Sequence, residues 1–129
     1  GNSCRTFLSG QSSILKVTIK FNQTIQDPTF GILIKDRLGL DIFGTNTHFS
    51  KKKSFQKQAG SEAIAEAHII LSLGPGSYSV TTAVHSGSEH TDENFDWIDN
   101  AIVFDITPPP DKQFIGTAAL PYEIFWHSN

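Results

Sequence analysis

Apolar and polar residues alternate with a period of two along most of this chain. From Ser13 to Asn22, Leu15, Val17, Ile19 and Phe21 fall on one parity, with Lys16, Thr18 and Lys20 on the other. This is the pattern of a strand with one wet face. The stretch from Leu71 to Val84 organises the rest: a buried-looking strand enters Gly74-Pro75-Gly76 and leaves with Tyr78, Val80, Thr82 and Val84 on one face. Pro at the first central position and Gly at the second predict a type II turn, with positive φ at Gly76. Thr29 to Lys35 carries Phe30, Ile32 and Ile34 on one parity and Leu33 on the other, as in a strand covered on both sides. Asp36-Arg37-Leu38-Gly39 has tight-turn composition and predicts a hairpin into Leu40–Thr45.

The remaining elements follow from the same reading. Thr6-Phe7-Leu8 predicts a short strand ending at Ser9-Gly10. Glu62, Ala63, Ala65, Glu66 and Ala67 favour a helix by propensity. The segment nevertheless runs unbroken into Ile69-Ile70-Leu71 with Ala63, Ala65, Ala67, Ile69 and Leu71 on one parity, which predicts a strand. His85 to Asn100 reads as a long polar loop, and Ala101–Thr107 as a strand with Ile102, Phe104 and Ile106 inward. Pro108-Pro109-Pro110 is a stiff extended spacer. Tyr122 to Trp126 reads as a final strand, apolar on both parities. Strands joined by turns, with no helix among them, predict an all-β antiparallel β-sandwich forming one domain over residues 1–129.

The totals narrow its company. Formal net charge is −3, which gives nucleic acid no electrostatic purchase. The one cysteine, Cys4, has no intramolecular partner, and a chain without a disulfide framework suits a reducing compartment. No apolar run approaches the ~20 residues of a membrane helix. A start at Gly1-Asn2 rather than Met suggests a piece of something longer.

Catalytic and metal motifs do not assemble in the sequence. It contains no G-x-x-x-x-G-K-[ST] phosphate loop, and Ser77 lacks the G-x-S-x-G setting of a nucleophile elbow. His48, His68, His85, His90 and His127 have no close ligand spacing. Glu89, Asp92, Glu93, Asp96 and Asp99 crowd one segment, which reads as an acidic solvated loop rather than a calcium site, since the EF-hand order is missing. Lys51, Lys52, Lys53 and Lys57 read as a solvated basic loop. The expectation is a non-enzyme with no metal and no cofactor.

Three ordered segments carry a family resemblance. The first is Phe30-Gly31-Ile32, then Gly39 to Ile42 running into Phe43-Gly44-Thr45-Asn46-Thr47. The second is Leu73-Gly74-Pro75-Gly76-Ser77-Tyr78, and the third is Phe95-Asp96-Trp97-Ile98-Asp99-Asn100-Ala101 followed by Phe104. In order and spacing, across positions 10 to 120, the chain resembles the C-terminal domain of Wzt, the ATPase subunit of ABC transporters that export O-antigen polysaccharide. The resemblance implies an immunoglobulin-like/jelly-roll sandwich that binds the modified non-reducing end of a finished O-polysaccharide. It further implies a homodimer, a cytoplasmic place at the inner membrane of a Gram-negative bacterium, an ATPase domain elsewhere in the parent chain, and a transmembrane subunit as partner.

Binding residues are not implied by the resemblance and come from strand parity instead. A sugar site needs apolar area plus planar polar groups on rigid strands. The outward parity of the strands at 29–36, 39–45, 76–86 and 101–107 offers Leu33, Lys35, Phe43, Ser79, Thr81, Ala83, His85 and Val103. Lys35, Phe43, Ser79, Thr81 and His85 are the candidate carbohydrate-binding residues, with His48 and Trp97 on adjoining loops. The same row would suit a face covered by a partner subunit or a loop, and a protein-interaction sandwich of the adhesion type is the competing reading. The two-sided apolar character of Tyr122–Trp126 predicts a homodimer in which residues near 114–127 pair with, or swap into, a second copy.

Overall fold

The computed structural model of the chain describes residues 5–21, 28–47, 59–86 and 96–127. Seven strands make two sheets: β1 (Arg5–Leu8), β2 (Gln11–Lys20), β3 (Pro28–Asp36), β4 (Asp41–Asn46), β5 (Glu62–Leu71), β6 (Gly76–Ser86) and β7 (Asp96–Thr107). One sheet has the order β1-β7-β6-β3-β4, and the other is the pair β2-β5. All ladders are antiparallel except that of β1 with β7. The all-β sandwich expected from periodicity is therefore the observed fold, and the alanine-rich segment at 62–71 is a strand despite its helix propensity.

Strand parity sets what is buried. On β2, Leu15, Val17 and Ile19 face the opposite sheet, while Lys16, Thr18 and Lys20 face outward. Ile32 and Ile34 of β3, Tyr78 and Val80 of β6, and Phe104 and Ile106 of β7 form the buried cluster with Leu71. The Phe104 ring stacks on Tyr78 at 5.7 Å and meets Phe7 edge-on at 6.1 Å. Each such side chain contributes roughly 1.5–3 kcal/mol by leaving water.

Two turns follow directly from their residues. Between β3 and β4, the Asp36 carboxylate accepts the amide N–H groups of Leu38 and Leu40, both at 2.9 Å, and Gly39 takes φ +86°. This is the hairpin read from Asp36–Gly39. The Gly74-Pro75-Gly76 corner differs from the type II turn predicted. Gly76 has positive φ, but at +149° it is already the first residue of β6. The corner carries the chain from one sheet to the other and does not close a hairpin.

That corner is the most constrained point of the structure. A Cβ on Gly74 would coincide with the Gly116 carbonyl, so no other residue fits there. The Gly74 N–H donates to the Thr117 carbonyl at 3.0 Å, and its own carbonyl accepts the buried Tyr78 hydroxyl at 2.9 Å. Ser9 adds a third tie, donating its hydroxyl to the Leu73 carbonyl at 2.6 Å.

Two further expectations are corrected. Residues 96–100, read as the end of a polar loop, belong to β7, which pairs Trp97 with Ala83 and Asp96 with Val84. The intervening 87–95, with Glu89, His90, Asp92 and Glu93, lie outside the described residues, as does the basic loop at 51–57. Residues 122–126, read as a final strand, pair with no strand among the described residues. The C-terminal segment touches the sandwich at an isolated antiparallel bridge between Leu73 and Ala118. Beyond it, Ile124 is 85% exposed and Trp126 100%.

Burial pushes the Tyr78 hydroxyl above its ordinary range, and the Asp36 charge adds to the shift. The folded state thus holds this proton more tightly than the unfolded chain does. The associated stability is fully present below the ordinary phenol value of about 10 and is lost as pH rises through the raised one. Tyr78→Phe is expected to cost about 1–2 kcal/mol at neutral pH through the lost bond to Gly74. It should also lose less stability than the parent above pH ~10 in urea titrations. Gly74→Ala is expected to destabilise by on the order of 2–4 kcal/mol, because a backbone carbonyl must move. Gly10→Ala, with φ +84° but open space around it, should cost only about 1 kcal/mol. Equal melting midpoints for the two variants would contradict the Gly74–Gly116 contact.

Candidate functional site

The larger sheet carries its outward face on the odd residues of β3, β6 and β7. Register places Ser79 between Lys35 and Val103, Thr81 opposite Leu33, Ala83 opposite Gly31, and Ser77 opposite Asp105. Side chains directly opposite one another on neighbouring strands stand about 4.5–5.5 Å apart, so these form one continuous surface. Its apolar part is Leu33 and Val103, the latter 48% exposed. Its polar part is the Lys35 ammonium with the hydroxyls of Ser79 and Thr81. Ser77 donates its hydroxyl to the Asp105 carboxylate at the β1 side of the face. Ala83, 1% exposed, is floor rather than contact surface.

Two details shape the middle of this face. The β6–β7 register jumps from Val80–Ile102 to Thr82–Ile98, so Thr81 lies opposite a bulge of β7. Bulges re-aim side chains and recur beside functional sites. On the other flank, Gly44 has no side chain, and a Cβ there would press on the Leu33 side chain at 3.1 Å. Leu33 therefore lies down across Gly44 and leaves the surface beside Thr81 low. No carboxylate lies within ion-pair distance of Lys35 among the described residues.

The seven sequence candidates fare differently. Lys35, Ser79 and Thr81 stand together as adjacent positions of the outward face. His85 is on β6 in register with Thr29, and Trp97 on β7 in register with Ala83. Phe43 departs from the face assigned to it. Ile34 pairs with Phe43 and Lys35 with Asp41, so Ile42 is the extra residue of a bulge that shifts parity along β4. Phe43 consequently shares the inward face with Ile34, at the rim of a cleft of about 420 Å³ between the sheets. His48 lies outside the described residues. The reading from parity missed Asp105, although its two-residue offset from Val103 was signal enough.

A second surface is the outward face of the β2–β5 sheet. Glu66 holds His68 at 3.0 Å and Lys16 at 3.8 Å. The hydrogen bond from His68 is the main reason its carboxyl lies below the usual range. Ile14, Ile64 and Ile70 are exposed beside this cluster. Thr18 supplies a hydroxyl beside this cluster, and Lys16, Glu66 and His68 are already paired with one another.

Ser77 donates directly to the Asp105 carboxylate, with no imidazole between them among the described residues. Among the described residues no three His, Cys, Asp or Glu side chains converge as a metal site.

Comparison with known proteins agrees with this architecture. The family model described as the Wzt C-terminal domain matches residues 1–120. Among solved structures, one titled as the crystal structure of the C-terminal domain of Wzt superposes with a TM-score of 0.82 at 20% identity. The match covers 95% of this chain and 74% of that one. No curated protein sequence matches the chain.

Proposed function

The chain belongs to the Wzt C-terminal domain family, and on that premise we propose that it is a non-catalytic module that binds carbohydrate. Its ligand is the modified non-reducing terminus of an O-antigen polysaccharide, and binding licenses export of the finished chain by an ABC transporter. The observation that carries this reading is the outward face of the five-stranded sheet, where Lys35, Ser79 and Thr81 adjoin Leu33 and Val103 beside the β7 bulge. Sugars present hydroxyl edges and apolar ring faces together, and this surface offers partners for both on rigid strands. In the parent protein the module would follow an ATPase domain, on the cytoplasmic side of the membrane, beside a transmembrane subunit.

The module acts as a homodimer held by its C-terminal segment. Supporting this, Ile115, Leu120, Ile124, Phe125 and Trp126 are all exposed on a single chain. Burying several large apolar side chains at roughly 1.5–3 kcal/mol each is a strong drive to association.

Thr81→Ala and Lys35→Ala are each expected to weaken binding of an end-modified polysaccharide about three- to tenfold, with melting midpoints unchanged. His85→Ala tests the far end of the same strand. Calorimetric titration against intact and end-trimmed polysaccharide reads both affinity and end dependence. Parental binding by all three variants would move the site off this face. Deletion of Pro121–Asn129 is expected to yield a monomer by light scattering, and a truncated chain that stays dimeric would overturn assembly through this segment.

A further inference from the structure

Among the described residues, the layer between the two sheets is not filled by its own side chains. Phe7, Leu15 and Ile69 pack against the buried cluster yet stay only half-buried. Ile102 shares the inward parity of Phe104 and Ile106 and is still 38% exposed. Beside them lies a cleft of about 360 Å³, closed at its inner end by Val80 and Phe104. Protein interiors pack to the density of organic crystals, and voids larger than a water are few. A space of this size with aliphatic and aromatic walls falls in the range of small-molecule sites and suits an apolar ligand.

The mouth of the cleft is basic. Arg5 of β1 and Lys16 of β2 both border it, and no Asp or Glu does. Lys16 lies 3.8 Å from Glu66, a carboxylate of the outward face that is not part of the lining. Arg5 has no carboxylate within ion-pair distance among the described residues. The backbone of β2 adds donors. The Phe21 N–H donates to the Ser61 carbonyl and the Phe21 carbonyl accepts the Gly60 N–H, so the odd-numbered backbone groups of β2 turn toward β5. By alternation the N–H groups of Ile14 and Lys16 turn the other way, to the edge of β2 that borders the cleft. Among the described residues no strand pairs with that edge. Free N–H groups beside a guanidinium are the donor set of an oxyanion.

We propose that this cleft binds a single-chain anionic amphiphile, a hydrocarbon chain ending in a carboxylate or phosphate. The chain lies between the sheets against Leu15, Ile69 and Ile102, and the head meets Arg5 and the free N–H groups of β2. Apolar walls and a cationic, donor-rich mouth in one cleft match the two ends of such a molecule. The inference does not rest on the sugar reading, because the cleft lies on the opposite face of the five-stranded sheet from Lys35, Ser79 and Thr81.

The probe is decanoate, held below its micellar concentration and titrated into methyl-labelled protein. Decanol, decyltrimethylammonium and acetate are the comparators. Decanoate should shift the Leu15 and Ile102 methyl signals saturably, decanol more weakly, and acetate not at all. Octanoate should bind on the order of tenfold more weakly than decanoate, because two methylenes leave the cleft. Arg5→Glu should weaken decanoate about three- to tenfold and leave decanol unchanged. Ile102→Trp fills the mouth and should abolish binding of both chains with no fall in the melting midpoint. Leu15→Phe fills the cleft from the other sheet and keeps the test open should Ile102→Trp fail to fold. No methyl shifts with decanoate would overturn the site, as would full binding by both filled variants. Decyltrimethylammonium binding as tightly as decanoate would overturn the assignment of an anionic head. Flotation with anionic phospholipid vesicles but no binding of free decanoate would place the lipid contact on the surface and overturn the cleft.

Discussion

The Gly116 carbonyl occupies the space in which a side chain at position 74 would begin. Everything near it is fixed by that approach. The chain can pass from the two-stranded sheet to the five-stranded one in the four residues 72–75 because Gly74 has no Cβ. The same backbone contact brings Thr117 to the Gly74 N–H, and the Tyr78 hydroxyl closes the other side of the corner. Tyr78 in turn stacks on Phe104, so the corner is continuous with the aromatic core. One glycine therefore ties the corner before β6 to the C-terminal segment at Gly116 and Thr117.

Much of this was legible in the sequence because a period of two is hard to disguise. The parities of β2 and β6 could be read residue by residue, and Asp36 announced its own turn by its chemistry. The places where the reading failed are those where backbone geometry breaks the period. A single extra residue, Ile42, moves Phe43 from the outward face to the inward one. Asp96 to Asn100 are polar enough to pass for a loop, yet they pair with β6 as the first half of β7. Gly-Pro-Gly composition signalled a turn but could not say whether the turn joined strands within a sheet or between sheets. The parallel pairing of β1 with β7 depends on residues about a hundred positions apart, which no local pattern encodes.

The face proposed to bind sugar depends on the same regularity. Lys35, Ser79 and Thr81 were candidates because of parity alone, and they stand side by side because β3 and β6 pair without interruption from Pro28 to Asp36. The bulge of β7 opposite Thr81 could not be foreseen from composition. Its effect is to break the flatness of the surface at its centre, which a uniform ladder would not do. The wide sheet is the one that presents polar and apolar groups side by side on its outward face.

Amide chemical-shift mapping of the isotope-labelled domain, titrated with end-modified polysaccharide fragments and with the same fragments after end trimming, tests the central claim most directly. The account predicts saturable shifts at Lys35, Ser79, Thr81 and Val103 with the end-modified fragments alone. Shifts centred instead on Lys16, Glu66 and His68 would place the sugar on the two-stranded sheet and contradict it.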